Sequence, residues 1–193
     1  MRNQKDTDTK KTKNELAEKL LLESRIIFIC GEINQELAKD VSTQLLYMKA
    51  MGDDPITIFI NSQGGHVEAG DTIHDMIQYI GLPINMIGTG WVASAGITIY
   101  LAAEKEKRFS LPNTRFMIHQ PLGGVNGRAT DIAIEAEEIV KTRKRIERLI
   151  SEATGQPLER VSKDADQNYW MDTEEAINYG IVSRVIAAAD EIE

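Results

Sequence analysis

The chain has 193 residues, 42% hydrophobic and 27% charged, which is typical of one globular domain with its own core. Its 22 basic and 30 acidic residues give a net charge of −8, which argues against nucleic acid as a partner. No apolar run approaches the ~20 residues that cross a bilayer, and the N-terminus lacks the apolar stretch of a secretory signal. We therefore expect a cytoplasmic protein with no membrane partner.

The pattern after the N-terminus predicts helices that alternate with short β-branched strands. Residues 1–15 are almost wholly polar and are predicted to form a flexible arm before one domain at 16–193. Strands are predicted at 25–30, 56–60 and 84–88, near Arg108, and at 116–119. Helices are predicted up to about Ser24 and at 34–51, 67–80, 94–103 and 130–154. This alternation indicates parallel βαβ units in one α/β domain.

The predicted helix at 130–154 is well above the usual length of ~11–12 residues. Residues at helical spacing form an apolar stripe, opposite a heavily charged face. The stripe runs through Ile132, Ala136, Ile139, Val140, Arg143, Ile146, Leu149 and Ile150. In so small a domain we expect part of this helix to project, and a projecting apolar stripe needs a partner subunit.

Two glycines, Gly64 and Gly65, stand where a predicted strand leads into a helix. Such a turn offers backbone N–H groups beside a helix N-terminus, where they can hold an anion or an oxyanion. Considered alone, the pair is better explained as a tight turn without chemistry.

Ser94 and His119 are the candidate nucleophile and base. Ser94 opens a predicted helix among small residues, but Val92 stands where a nucleophile elbow would have glycine, so a helix cap explains Ser94 better on this segment alone. His119 closes an apolar strand, where it suits general base catalysis, although a structural histidine is an equal alternative.

His66 and His74 are the other two histidines, and a metal site would need them close together. They are more than ten ångströms apart at the ~1.5 Å rise of a helix, so we predict no metal site.

The segments together resemble the Clp protease proteolytic subunit family over about residues 16–187. The resemblance rests on Ile60-Asn61-Ser62-x-Gly64-Gly65, Ala93-Ser94-Ala95-Gly96, Leu111-Pro112-Asn113, Met117-Ile118-His119-Gln120-Pro121-Leu122-Gly123-Gly124, Ala129-Thr130-Asp131-Ile132, Thr154-Gly155-Gln156-Pro157-Leu158 and Glu174-Glu175-Ala176. It implies a crotonase-like α/β domain of repeated ββα and βαβ units with a projecting long helix.

The resemblance also implies an ATP-dependent serine endopeptidase that cleaves unfolded polypeptides inside a chamber without a cofactor. The implied site consists of the nucleophile Ser94, the base His119, a third triad member at Asn168, oxyanion-hole N–H groups of Gly65 and Ala95, and a substrate-binding strand at Gly123, Gly124 and Val125. The implied partners are polypeptide substrates, further copies of the chain in two stacked heptamers or a paralogous subunit in mixed rings, and an AAA+ unfoldase.

Three positions depart from the family pattern. Asn168 replaces the usual triad aspartate, Gln167 replaces an arginine that pairs across the ring interface, and Gln63 replaces a proline. Asparagine can accept a hydrogen bond from imidazole but carries no charge to stabilise imidazolium, so we predict weak intrinsic activity.

Two other functions are alternatives to a weak peptidase. One is an impaired structural or regulatory ring subunit that pairs with a more active paralogue. The other is an acyl-CoA hydratase or isomerase on the same fold, which would explain the two glycines but not Ser94 together with His119.

Overall fold

A computed structural model describes residues 16–124 and 126–192, so the predicted arm at 1–15 lies outside the described residues. A first helix, α1, covers residues 16–23. The next elements are β1 (Ile26–Ile33), α2 (Gln35–Met51), β2 (Ile56–Gly65), α3 (Val67–Ile80), β3 (Ile84–Ala93) and α4 (Ala95–Tyr100). They are followed by β4 (Arg108–Ser110), β5 (Arg115–Ile118), α5 (Ala129–Thr154), α6 (Leu158–Asp164), β6 (Tyr169–Met171), α7 (Thr173–Tyr179) and β7 (Arg184–Val185). Among these, no helix is both long and apolar enough to cross a membrane.

The strands form one sheet that forks at β3. The order β1-β2-β3-β4-β7 is parallel throughout, as the alternating pattern predicts. The first half of β3 pairs with β4, and its second half pairs with β5, again in parallel. The short strand β6 then pairs antiparallel with β5. The fork places the ends of β3 and β5 side by side, next to the loop that precedes β6.

Local sequence explains why the first βαβ unit forms. Every second residue of β2 from Ile56 to Ile60 is fully buried, as expected for a half-buried strand of β-branched residues. The side chain of Asn34 caps α2 by accepting a hydrogen bond from the N–H of Leu37 at 2.9 Å. The face of α2 that packs on the sheet consists of Ala38, Val41, Leu45 and Met48.

Two strands are longer than the sequence predicts. β2 continues through Gly65, which pairs with Ile33, and β3 continues through Ala93. The two glycines do stand where β2 leads into α3, as predicted, but the strand ends at Gly65 and not at Ile60, because pairing with β1 keeps this segment extended past the apolar run. The pattern also gave no signal for the short elements α6, β6, α7 and β7.

Helix α5 has 26 residues and only its C-terminal half packs on the body. Ile150 is 2% exposed, whereas Ile134 is 60% exposed and Val140 is 49% exposed. The first half of the helix therefore projects with apolar side chains uncovered, in agreement with the sequence prediction.

Candidate active site

Ser94 lies at the sharp junction between β3 and α4. Its backbone has φ 56° and ψ −124°, a conformation that non-glycine residues rarely adopt and that is found at functional sites. Its side chain makes no capping hydrogen bond to α4. Instead, Ser94 Oγ lies 2.7 Å from Nε2 of His119. The helix-cap interpretation of Ser94 is therefore wrong.

The pairing of β3 with β5 brings these two side chains together although they are 25 residues apart. Ala93 is in register with Met117, and the N–H of Ser94 donates to the carbonyl of Met117 at 3.0 Å. Ser94 and His119 thus follow directly on two adjacent strands. Their relative position is set by main-chain hydrogen bonds.

The electrostatic surroundings favour a neutral His119. Burial lowers the pKa of its imidazole below the ordinary value, and a side-chain hydrogen bond with Asn168 partly opposes this effect. Because Nε2 faces Ser94, Nδ1 is the ring nitrogen left for Asn168. A neutral imidazole oriented in this way can accept the proton of a serine hydroxyl. Asn168 itself lies in an exposed loop between α6 and β6.

Gly64 makes a close contact with Ser94 that the sequence did not reveal. A Cβ atom added at Gly64 would lie 2.6 Å from Cβ of Ser94 and 2.9 Å from the carbonyl oxygen of Ala93. Gly64 also has φ 96°, and its N–H donates to Ser62 Oγ at 3.0 Å. Only glycine fits here, because the backbone of β2 runs directly against the serine. The Gly-Gly pattern was visible, but this contact arises from the sheet.

A small pocket opens beside the Ser94–His119 pair. Except for those two side chains and Thr98, its lining is apolar and consists of Val67, Ala95, Ile97, Ile118, Pro121, Ile146 and Ile150. The pocket has a volume of only about 20 Å³, so it places apolar groups beside the serine hydroxyl but leaves no room for a large side chain.

The residues predicted to bind substrate lie along a neighbouring groove of about 320 Å³. Gly65, Gly123 and Gly124 all line it. Gly123 and Gly124 are exposed, while Val125 lies outside the described residues. Val67 and Pro121 line both this groove and the pocket beside Ser94, so the groove and the serine are adjacent.

The remaining candidates are not brought together. His66 Nδ1 lies 3.1 Å from Glu68, and His74 Nδ1 lies 3.1 Å from Asp75. Within residues 16–124 and 126–192, no three His, Cys, Asp or Glu side chains are grouped as metal ligands would be. Gln167 is exposed beside Asn168.

Comparison with known proteins identifies the family to which this site belongs. The model of the Clp protease family matches residues 9–189. The chain belongs to the Clp protease family. Its activity is accordingly that of a serine peptidase, which decides against the hydratase alternative. Membership also implies a ring-forming protease that works with Clp ATPases.

Several individual proteins are similar over most of the chain. ATP-dependent Clp protease proteolytic subunit 3 of Rhizobium meliloti is 53% identical over 100% of both chains. The structure of ClpP1 from Listeria monocytogenes is 61% identical, covers 92% of this chain and 99% of its own, and has a TM-score of 0.84. An asparagine-to-aspartate mutant of the same ClpP1 has a TM-score of 0.86 with the same identity and coverage.

Proposed function

We propose that this chain is the proteolytic subunit of an ATP-dependent Clp protease, and that Ser94 and His119 cleave unfolded polypeptides. The observation that carries this assignment is the 2.7 Å contact between Ser94 Oγ and His119 Nε2, beside an apolar pocket. This contact has the length required for direct proton transfer between a nucleophile and its base.

The reaction proceeds by acyl transfer. His119 accepts the hydroxyl proton as Ser94 Oγ attacks the peptide carbonyl, and the protonated imidazole then delivers the proton to the leaving amine. Water, activated by the same imidazole, hydrolyses the acyl-enzyme and restores Ser94. This sequence needs no metal ion or cofactor.

The backbone binds the substrate and stabilises the developing charge. The N–H groups of Gly65 and Ala95 serve as donors to the oxyanion. Gly123, Gly124 and Val125 pair with an extended substrate as an added strand. The groove lined by Gly65, Gly123 and Gly124 supports this arrangement.

Asn168 makes the peptidase slow. It orients His119, but it offers no negative charge to the imidazolium that forms as the serine loses its proton. The alternative, a ring subunit that shapes a chamber for a more active paralogue, is favoured by this same residue. The two functions differ in whether Ser94 reacts at all.

Labelling with a fluorophosphonate probe tests the assignment. The probe should react with Ser94 in the assembled chain, identified by mass spectrometry of the modified peptide. Ser94→Ala should abolish labelling, and His119→Ala should slow it strongly while the ring remains intact. An intact ring that the probe does not modify would support the structural alternative and contradict the peptidase.

For assembly, we infer two stacked heptamers, or mixed rings with a paralogue, that work with an AAA+ unfoldase in the cytoplasm. The uncovered apolar residues of α5 support a partner along this helix, namely Ile132, Ile134 and Val140. Gln167 cannot supply a charge-assisted contact between rings, so stacking should be weak. Sedimentation should therefore show single rings or a salt-sensitive mixture. A monomer at working concentration would contradict ring formation.

A further inference from the structure

Arg143 joins three separate segments around His119. Its Nε donates to Glu147 Oε1 at 2.7 Å, within helix α5. Its Nη1 donates to Gln120 Oε1 at 2.7 Å, on the residue that follows His119. Its Nη2 lies 3.3 Å from Asp166 Oδ1, two residues before Asn168. One planar guanidinium thus contacts both the residue after His119 and the loop that carries Asn168, the third triad member.

The helix end of this network is buried. The side chain of Glu147 is 8% exposed, and its second oxygen accepts a hydrogen bond from Ser162 Oγ at 2.6 Å. Arg143 Nη2 also lies 3.4 Å from the carbonyl of Ser162, at α6. The buried carboxylate of Glu147 keeps both of its donors, Arg143 and Ser162, in place, because leaving a buried charge unpaired costs several kcal/mol. The guanidinium is therefore held in a defined orientation.

Gln120 completes the connection between His119 and Asn168. Its backbone N–H donates to the carbonyl of Ala165 at 2.6 Å, and its Nε2 donates to the carbonyl of Asp166 at 2.8 Å. Arg143 occupies its amide oxygen. Both the oxygen and the nitrogen of the Gln120 side-chain amide therefore have hydrogen-bond partners, and the segment after His119 is fixed against residues 165–166.

We propose that Arg143 is a positioning residue that keeps Asn168 in register with His119. The inference rests on the proposed function, since it assigns how the third triad member is held. An aspartate would attract the imidazolium by charge and so tolerate small displacements. The neutral Asn168 depends on the direction and length of a hydrogen bond, so the main-chain contacts at Ala165 and Tyr169 that flank its loop need the support of side chains between them. Arg143 and Gln120 are the side chains that give this support.

Arg143→Lys tests this role, because lysine keeps a positive charge for the buried Glu147 but loses the planar fork that reaches Gln120 and Asp166. The matched control is Arg145→Lys, on the same helix. Arg145 forms its ion pair with Asp71 on α3, away from the site. Both variants change arginine to lysine in one helix, but only the first touches the loop.

Three measurements on the assembled chain distinguish positioning from general damage. Arg143→Lys should lower kcat for peptide hydrolysis about 10- to 100-fold with KM little changed, because misplaced catalytic groups affect rate more than binding. Arg145→Lys should leave kcat within about twofold. In an Asn168→Asp background the loss from Arg143→Lys should shrink, which a double-mutant cycle would report as coupling. Hydrogen exchange at the Gln120 amide should be faster in Arg143→Lys only.

The measurements test the positioning role of Arg143 independently of the proposed peptidase activity. Unchanged exchange at the Gln120 amide together with unchanged kcat in an intact Arg143→Lys ring would overturn it. An equal loss in both lysine variants, or a loss that follows ring dissociation, would also overturn it. If the unmodified chain neither hydrolyses peptide nor labels at Ser94, the proposed function fails, and the exchange measurement still decides whether Arg143 holds the loop.

Discussion

The two sides of His119 are held in different ways. On the Ser94 side, main-chain pairing between β3 and β5 fixes the proposed nucleophile and base, and the two pairs nearest them, Val92 with Phe116 and Ala93 with Met117, are buried. On the Asn168 side, main-chain contacts at Ala165 and Tyr169 flank an exposed loop, and between them the side chains of Arg143 and Gln120 bind Asp166. The nucleophile–base geometry is therefore a property of the sheet. The proposed contact between His119 and Asn168 depends in part on side chains and lacks a charge, so we expect the site to be weakest there.

Restoring the charge at the loop should have the largest effect. Asn168→Asp places a carboxylate beside the imidazolium and fixes the tautomer that leaves Nε2 free to accept a proton. The opposite exchange costs a serine protease about 10⁴ in kcat, so the variant should recover part of that factor. Peptide turnover measures this, and the gain should be in kcat with KM little changed.

Replacing Ser94 shows whether the higher turnover of Asn168→Asp depends on the serine. Ser94→Ala should abolish turnover both alone and together with Asn168→Asp. An intact ring in which Asn168→Asp leaves turnover unchanged would show that the slow step lies elsewhere, in substrate-strand ordering or a missing partner ring.

The sheet side should be sensitive to steric changes instead. Gly64→Ala would push a methyl group to within 2.6 Å of Ser94 Cβ, and it would place a non-glycine residue at φ 96°. We expect kcat to fall by about 100-fold or more, because a shift of ~1 Å at reacting groups costs that much. Labelling of Ser94 by the probe should slow in parallel.

Gly81→Ala is the matched control for Gly64→Ala. Gly81 has φ 60° at the end of α3, and an added Cβ would meet nothing within 4 Å. It should lose about 1 kcal/mol of folding free energy, measured by thermal unfolding, with turnover unchanged. Equal activity losses in the two variants would mean that backbone strain, and not contact with Ser94, explains the Gly64 result.

The same contrast explains what the sequence could predict. Periodicity located α3 and the starts of β2 and β3, because each has a buried face of regular spacing. It could not place the ends of those strands at Gly65 and Ala93, because pairing with neighbours keeps them extended beyond the apolar run.

At the site, Ser94 and His119 could be named from motifs, but the networks around them could not. Arg143 appeared only as one member of the stripe on the long helix. Its contacts with Gln120 and Asp166 join residues 23 positions apart in both directions. Such contacts leave no local pattern, because the tertiary fold alone brings the segments together.

The smallest expected effect is a shift in the pH dependence of kcat/KM. Its direction distinguishes the effect of burial on His119 from the effect of a charge at residue 168. The base must be neutral to accept the Ser94 proton, so activity falls as pH drops through the pKa of His119. Burial lowers that pKa, and the acidic limb of kcat/KM should therefore lie below the ordinary histidine value of about 6.5.

Asn168→Asp should move this limb upward, because the added carboxylate favours the charged imidazolium and raises the pKa of His119. The variant should thus gain most over the unmodified chain at neutral pH and progressively less as the solution becomes acidic. Profiles of kcat/KM for both proteins in intact rings measure the shift. A limb that stays in place while kcat rises would mean that the carboxylate acts by orienting His119. A limb that moves down would contradict a charged carboxylate beside His119, because such a charge can only raise its pKa.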